Sequence, residues 1–507
     1  MSAFTVLLLT DSFVHGSEPF QILHPDSFRH HIERFNSMAP ETITNAISNG
    51  QSFSWLENNV PLFECPDKDV EEIYYFRWWS FRKHLVKTPR GFVITEFLAP
   101  MKHAGPSNTI SCAAGFHIAE ARWLRNSSYA NDYATFWFRR DDGKPQGHFH
   151  RYSSWLPAAI YDKYLVDANR AFLTNLLDDF VVDYRAWETE RGLTNGLFFQ
   201  FDVWDGMEES ISGSRTAKNI RPTINSYMFG NARAIAETAR AAGDFKTASE
   251  FDQKAARLRA SVQKTLWNPE ANFFEVLRPD GKFSDAREEL GFIPWCFNIP
   301  SAGQEIAWSQ LLDTNGFRAP FGLTTAEQRN PKFRSHGCCK CEWDGAVWPF
   351  ATSQTLCAMG NLLRDYSQTV VSSRDYLDAF VTYVLGQHRE GKPFIGEYLD
   401  EQTGEWLRFS PDRSSFYNHS VFADLIISGV VGFVPRSDET VEVNPLLPQK
   451  TWDWFCLDGV RYHNRELTIL WDAKGARYNK GPGLTVLADG KVVAHSAGLG
   501  RLTGKLP

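Results

Sequence analysis

From Asp67 to about residue 430 the chain is written in a single period. Val70, Ile73, Tyr74, Trp78, Phe81 and Leu85 recur at helical spacing, which lines apolar side chains along one face of an α-helix. The pattern then returns in pairs of runs: 117–124 with 133–139, 155–164 with 168–187, and 223–242 with 245–266. In the last of these Ala248, Phe251, Ala255, Leu258, Val262 and Leu266 keep helical spacing, and Gly243-Asp244 reads as a helix stop followed by a start. Further pairs are expected at 304–312 with 348–363 and at 373–385 with 420–428. The loops are unequal and no fixed-length repeat occurs, which argues against a solenoid. A closed ring of helical hairpins, an (α/α)6 toroid with its long loops gathered at one end, accounts for the span. The expected fold class is therefore mainly α.

The flanks differ. A segment within 26–49 has helical character with Pro40 breaking it, and Phe4 to Leu9 reads as a buried strand. Past Gly432 the alternation becomes strand-like at 440–443, 467–471, 484–487 and 491–494, with Asp489-Gly490 as a hairpin turn. The expected division is an N-terminal extension over 1–66, a barrel over 67–431 and a small C-terminal β-sandwich over 432–507.

Composition narrows the function. A net charge of −7 and a pI near 6.1 give no support for nucleic-acid or anionic-membrane partners. No apolar run approaches the roughly 18 residues a membrane helix needs, and the start of the chain lacks a basic region and a cleavage site. The expectation is a soluble protein, cytoplasmic rather than secreted; the sequence says nothing of its oligomeric state. Aromatic residues make up 14% of the chain, 17 of them Trp, enough for a large core and also for flat platforms on which sugar rings stack.

Within the helical span one stretch departs from every period. Residues 202–215 bring together Asp202, Trp204, Asp205, Glu208, Glu209 and Arg215, with Gly206 and Gly213 between them. So polar a segment suits a loop at the mouth of a cleft. Splitting a glycosidic bond needs a carboxylic acid to protonate the leaving oxygen and a carboxylate to activate water or attack the anomeric carbon. The acid works with a raised pKa, which apolar neighbours and like charges produce. Glu208 has both, with Trp204, Met207 and Ile211 near it and Asp202, Asp205 and Glu209 alongside. Glu397, between Phe394-Ile395-Gly396 and Tyr398, is the opposing candidate. Between the two lies Trp343-Asp344-Gly345-Ala346-Val347-Trp348-Pro349, where Trp343 and Trp348 shape a sugar subsite, Asp344 bonds a hydroxyl pair, and Pro349 opens a helix.

In their order these motifs resemble those of the six-hairpin glycosidases of the trehalase-like clan, above all glycoside hydrolase family 63 and mannosylglycerate-hydrolase-like proteins. The matching segments are Asp205-Gly206-Met207-Glu208-Glu209-Ser210, Trp343 to Pro349, and Glu397-Tyr398 before Thr403-Gly404-Glu405. The resemblance covers about residues 70–430 by motif order. It implies Glu208 as general acid, Glu397 as general base, and an inverting hydrolysis; the expected action is exo, releasing a terminal sugar. The family acid is an Asp where this chain has Glu208, so Asp205 remains a competing candidate; Ala346 stands where the family commonly has Pro.

Arg77, Trp78, Trp79, Trp204, Arg215, Tyr398, Tyr417 and His419 complete the expected substrate contacts. Cys338, Cys339 and Cys341 beside Glu342 form a zinc-like cluster, but paired Cys-x-x-Cys knuckles are missing and ordinary thiols are expected; no cofactor or metal is called for. His148 and His150 form a second metal-like pair, read as substrate contacts or a solvated turn. A polysaccharide lyase is the rival chemistry, carried by Tyr417, His419 and His150 against a uronic acid. A carbohydrate-binding protein without turnover is the third reading.

Overall fold

The computed structural model describes residues 20–139, 142–334, 341–407 and 415–507; the strand expected at Phe4 to Leu9, and Cys338 and Cys339 of the thiol cluster, lie outside them. The principal helices are α1 (Lys68–Lys83), α2 (Ser111–Ala121), α3 (Ser128–Phe138), α4 (Leu156–Asp167), α5 (Leu177–Arg191), α6 (Pro222–Ala242), α7 (Phe245–Thr265), α8 (Pro349–Asp365) and α9 (Ser373–Gly386). Their ends follow local chemistry. The Asp67 side chain accepts from the backbone N–H groups of Asp69 and Val70 at the start of α1, while Arg82 and Lys83 occupy its last turn. Gly243, at φ 82°, ends α6, and the Asp244 carboxylate then accepts from Thr247 N at 3.0 Å to open α7.

Two kinds of helix result. In α7 the buried residues are Ala248, Phe251, Ala255, Leu258 and Val262, a single stripe. In α6 burial is nearly continuous from Pro222 to Ala232, as for a helix covered on every side. The deeply covered elements touch in chain order: α2 packs on α4, α4 on α6, α6 on the 3-10 segment Glu289–Phe297, that segment on α8, and α8 on the π-helical turn Leu425–Val430. Contacts then return to the end of α2, where Arg122 Nη2 and Trp123 Nε1 donate to Asp424 Oδ1 at 2.6 and 2.8 Å.

Two expected helices differ. The place beside α8 is taken by Glu289–Phe297, with 304–312 reduced to a 3-10 turn and one short α-turn. Pro294 sits inside that segment and lacks the N–H an α-helical ladder needs there. At the end of the span, Leu425–Val430 winds as a π-helical turn where a regular helix over 420–428 was expected.

The C-terminal part is a region of small antiparallel sheets. Strands β1 (Leu62–Glu64), β2 (Phe433–Val434), β3 (Thr440–Val443), β4 (Trp454–Tyr462), β5 (Arg465–Asp472), β6 (Gly483–Ala488), β7 (Lys491–Ser496) and β8 (Leu502–Lys505) form a five-stranded sheet in the order β1-β4-β5-β6-β7 and a three-stranded one in the order β2-β3-β8. Asp489 and Gly490, at φ 49° and 78°, make the expected tight turn between β6 and β7. The outermost strand of the larger sheet was not foreseen: β1, from the start of the chain, pairs antiparallel with β4 through Leu62 opposite Asp458. Asp458 Oδ2 also accepts from the backbone N–H groups of Ile22 and Leu23 at 2.6 and 2.8 Å. Among the described residues no helix is long and apolar enough to cross a membrane.

Candidate active site

The 202–215 loop is tied down from below. Asp202–Asp205 forms one helical turn, ended by Gly206 at φ 73°, a conformation glycine adopts without strain. Met207 N then returns to Asp202 O at 3.0 Å and Ser212 N reaches Glu288 Oε1 at 3.4 Å. Asp205 faces inward. Its carboxylate accepts from Ser153 Oγ and from Arg221 Nε, each at 2.5 Å, and both members of the Asp205–Arg221 pair are fully buried. Arg221 is the residue preceding α6, so this ion pair clamps the loop to the start of that helix.

Glu208 is left half-buried above the clamp. Its carboxyl is pushed up to about 7, first by burial and then by the negative charges of Glu397 and Asp202, while its own backbone N–H and Arg215 pull the other way. Two carboxylates nearly two hundred residues apart in sequence thus share one electrostatic neighbourhood. Glu397 itself is 3% exposed. It is held on a segment that pairs back to back with the Trp343 motif, Val347 N to Leu399 O and Leu399 N to Val347 O, each at 3.0 Å. Gly396 before it has no room for a side chain, since a Cβ there would stand 2.6 Å from Trp406 Cε3.

Around these groups the structure gathers aromatic rings. Trp343 stacks on Trp348 with centroids 4.6 Å apart, and Trp348 stacks on Tyr398 at 4.7 Å. His419 lies against Tyr417 at 4.1 Å and beside Trp348 at 6.0 Å. Burial, with the positive charge of Arg77, holds the His419 imidazole well below its ordinary pKa, so it is neutral. Trp343 N reaches Glu208 O at 3.4 Å, which links this wall to the acidic loop. Trp204 borders the loop from its other side, with the Arg151 guanidinium 4.6 Å from its ring and Tyr152 edge-on.

Other expected contacts are engaged elsewhere. Trp78 and Trp79 are each 1% exposed; Trp79 packs on Phe35 and Phe76, donates from Nε1 to Asn36 Oδ1, and presents no free face to a sugar. The Arg77 guanidinium is bonded to Tyr383, Gln387 and the carbonyl and hydroxyl of Ser420, so it braces the 417–420 loop. Arg215 is half-exposed and pairs with Glu209. Asp344 is buried against Arg334, which donates to its Oδ2. His150 stands between Asp183 and Glu190 at 2.7 and 2.9 Å, and these carboxylates raise it to about 9 against the opposing effect of burial. Among the described residues no group of three His, Cys, Asp or Glu side chains is placed to hold a metal ion.

One carboxylate was overlooked in the sequence. Glu96 is 2% exposed, and its charge and that of Glu208 both act on the Cys112 thiol and the Tyr152 hydroxyl. Its flanks, Ile94 and Phe97, are of the same apolar kind that singled out Glu397, and that signal was available.

The helix-rich fold thus brings two carboxylates, Glu208 and Glu397, into one electrostatic neighbourhood beside a set of stacked aromatic rings. Residues 106–420 match the family described as the mannosylglycerate hydrolase MGH1-like glycoside hydrolase domain, and residues 436–495 match the C-terminal domain of glycosyl hydrolase family 65. The first match covers more than half of the chain: this protein belongs to the family of MGH1-like glycoside hydrolase domains. Among solved structures it is similar to a sialidase, with a TM-score of 0.93 and 47% identity over 95% of this chain and 45% of that one. The chain thus spans less than half the length of that relative. It is also similar to the GH63 mannosylglycerate hydrolase of Thermus thermophilus, with a TM-score of 0.52 and 14% identity over 70% of this chain and 99% of the other. A GH78 family rhamnosidase of a Bacillus species gives a TM-score of 0.56 and 12% identity over 81% and 40%. At these identities the last two show the fold alone.

Proposed function

We propose that this chain is an exo-acting, inverting glycoside hydrolase in which Glu208 is the general acid and Glu397 the general base. The observation that carries the reading is the state of Glu208: a half-buried carboxyl held up to about 7, in part by the charge of Glu397. A group so placed is about half protonated at neutral pH, and in that form can donate to a departing glycosidic oxygen, while its ionised counterpart draws the proton from an attacking water. Asp205 does not suit the acid's part, because both its oxygens already accept hydrogen bonds in a fully buried ion pair. The run of contacts from α2 through α4, α6, Glu289–Phe297 and α8 to Leu425–Val430 and back supports a six-membered inner ring, the (α/α)6 toroid, with a C-terminal β-sandwich over about 432–507. The loops holding Glu208, Trp343, Glu397 and Tyr417 then gather at one mouth of the ring. Trp343, Trp348, Tyr398, Tyr417 and His419 would wall the sugar subsite, with Trp204 at its entrance.

The test is hydrolysis of a panel of aryl glycosides, with the anomeric configuration of the first-formed sugar read by proton NMR. Inversion, abolished by Glu397→Gln with the fold intact, is the expected result. Retention overturns the single-displacement scheme, and turnover confined to an aryl sialoside overturns the paired-carboxylate assignment. An unsaturated product absorbing in the ultraviolet marks lyase chemistry, which the engagement of His150 by Asp183 and Glu190 disfavours.

A further inference from the structure

We infer that the chain has a second carbohydrate site, a cavity at the far end of the inner helices that takes a single pyranose or a polyol of like size. Its walls come from α2, α4, α6, α8, the 297 region and the Val421–Gly429 segment, and it encloses about 200 Å3. An engineered cavity of roughly 150 Å3 already admits a benzene ring. Phe350, against Trp343 at 5.5 Å, leads through Phe116 at 4.7 Å and Trp155 at a further 4.7 Å to Tyr227, so a layer of rings lies between this cavity and the aromatic wall of the candidate active site.

The lining is built for hydroxyl groups. Burial lifts the Asp162 carboxyl to about 6, while its side chain, one of the cavity's lining groups, is 55% exposed. Its nearest cation, Arg122, is 3.9 Å away, beyond hydrogen-bond reach, and is already bonded to Asp424 at 2.6 Å. Along α8 the partly exposed residues Cys357, Asn361 and Arg364 recur at helical spacing, while Ala358, Met359 and Leu362 between them are buried. One face of an otherwise enclosed helix is therefore turned to the cavity. Among the described residues, Arg364 donates to backbone carbonyls of Ser428, Gly429 and Asn444. Two carboxylates and two guanidinium groups balance, so an ion of either sign gains little. A neutral molecule that both donates and accepts, laid on the partly exposed Trp155, can bond to Asp162 without displacing these internal contacts.

Two thiols of the same lining, Cys296 and Cys357, report occupancy without turnover. A small neutral thiosulfonate reagent is applied to the intact protein with and without glucose, mannose, galactose or glycerol, and modification is followed by peptide mass spectrometry. One of these ligands at about ten times its Kd should slow modification of Cys296 and Cys357 about tenfold by mass action, and Asp162→Ala should remove the protection while leaving glycoside turnover unchanged. Protection of Cys112 alone would place the sugar at the carboxylates only, and with equal protection in Asp162→Ala, or none from any of the four, it overturns the proposal. If the thiols resist the reagent, crystals soaked in the same sugars decide: ordered sugar bonded to Asp162 supports the site, and water alone rejects it. Because binding is read directly, an incorrect assignment of Glu208 or Glu397 leaves this outcome unaffected.

Discussion

Arg221 Nε donates to Asp205 Oδ2 at 2.5 Å, with neither side chain exposed to solvent. This pair sits at the root of the acidic loop and separates two carboxylates that the sequence left in competition. Asp205 holds the loop, and Glu208, three residues on, is carried by it. Asp205→Leu or Arg221→Met should each lower stability by about 3–5 kcal/mol, since each leaves one charge buried without its partner. Urea denaturation measures this. An Asp205→Asn protein that remains folded should keep the pH dependence of the parent, because Glu208 and Glu397 are intact; loss of the alkaline limb would return Asp205 to contention.

With Glu208 lifted to about 7, kcat/KM should hold on the acid side of neutrality and fall about tenfold per pH unit above it. Asp202 contributes to that lift through its negative charge. Asp202→Asn should therefore move the alkaline limb to lower pH, while its Oδ1 can still accept from Val203 N. A limb that stays in place removes Asp202 from the electrostatics of the site.

The same carboxyl makes a statement about stability. Its pKa in the folded protein lies above the ordinary glutamate value of 4.5, so between about 4.5 and 7 the native state binds more protons than the unfolded chain, and stability falls as pH rises through that window. Glu208→Gln removes the penalty. Its melting temperature should match the parent's near pH 4 and exceed it at pH 8, while turnover drops by about 10²–10⁴-fold.

Gly396→Ala places a methyl group 2.6 Å from Trp406 Cε3. Overpacking of this kind costs about 1–3 kcal/mol, and here it also displaces the neighbouring carboxylate, Glu397. The expected result is a fall in kcat out of proportion to the fall in melting temperature; equal and slight effects would mean that Glu397 needs no fixed place.

Much of this was legible in the chain. Helices with one apolar stripe, such as α7, announced themselves by spacing alone, and Gly243-Asp244 marked the break between α6 and α7. The acidic loop stood out because no period fits it. What could not be read was the use of each side chain in three dimensions. Trp78 and Trp79 in a run of aromatics suggest stacking platforms, yet their rings are packed against Tyr74, Phe81, Phe35 and Phe76. Asp205 and Glu208 are equally acidic on the page, and only the arrival of Arg221 from the next helix distinguishes them. Glu289–Phe297 hid for a related reason: Pro294 argues against a helix, while tertiary packing accepts a 3-10 segment in a helix's place.

The strand Leu62–Glu64 closes the five-stranded sheet from the opposite end of the chain. On a ribosome it emerges long before Trp454–Tyr462, its partner, exists. Until then its N–H and C=O groups have no ladder to join, and the sheet cannot be completed by residues past 432 alone. A fragment cut where the helical period begins would therefore present β4 as an open edge, prone to pair with other copies. Completion of the last sheet therefore draws on both flanks of the helical span, which the ladder from Leu62–Glu64 to β4 ties together.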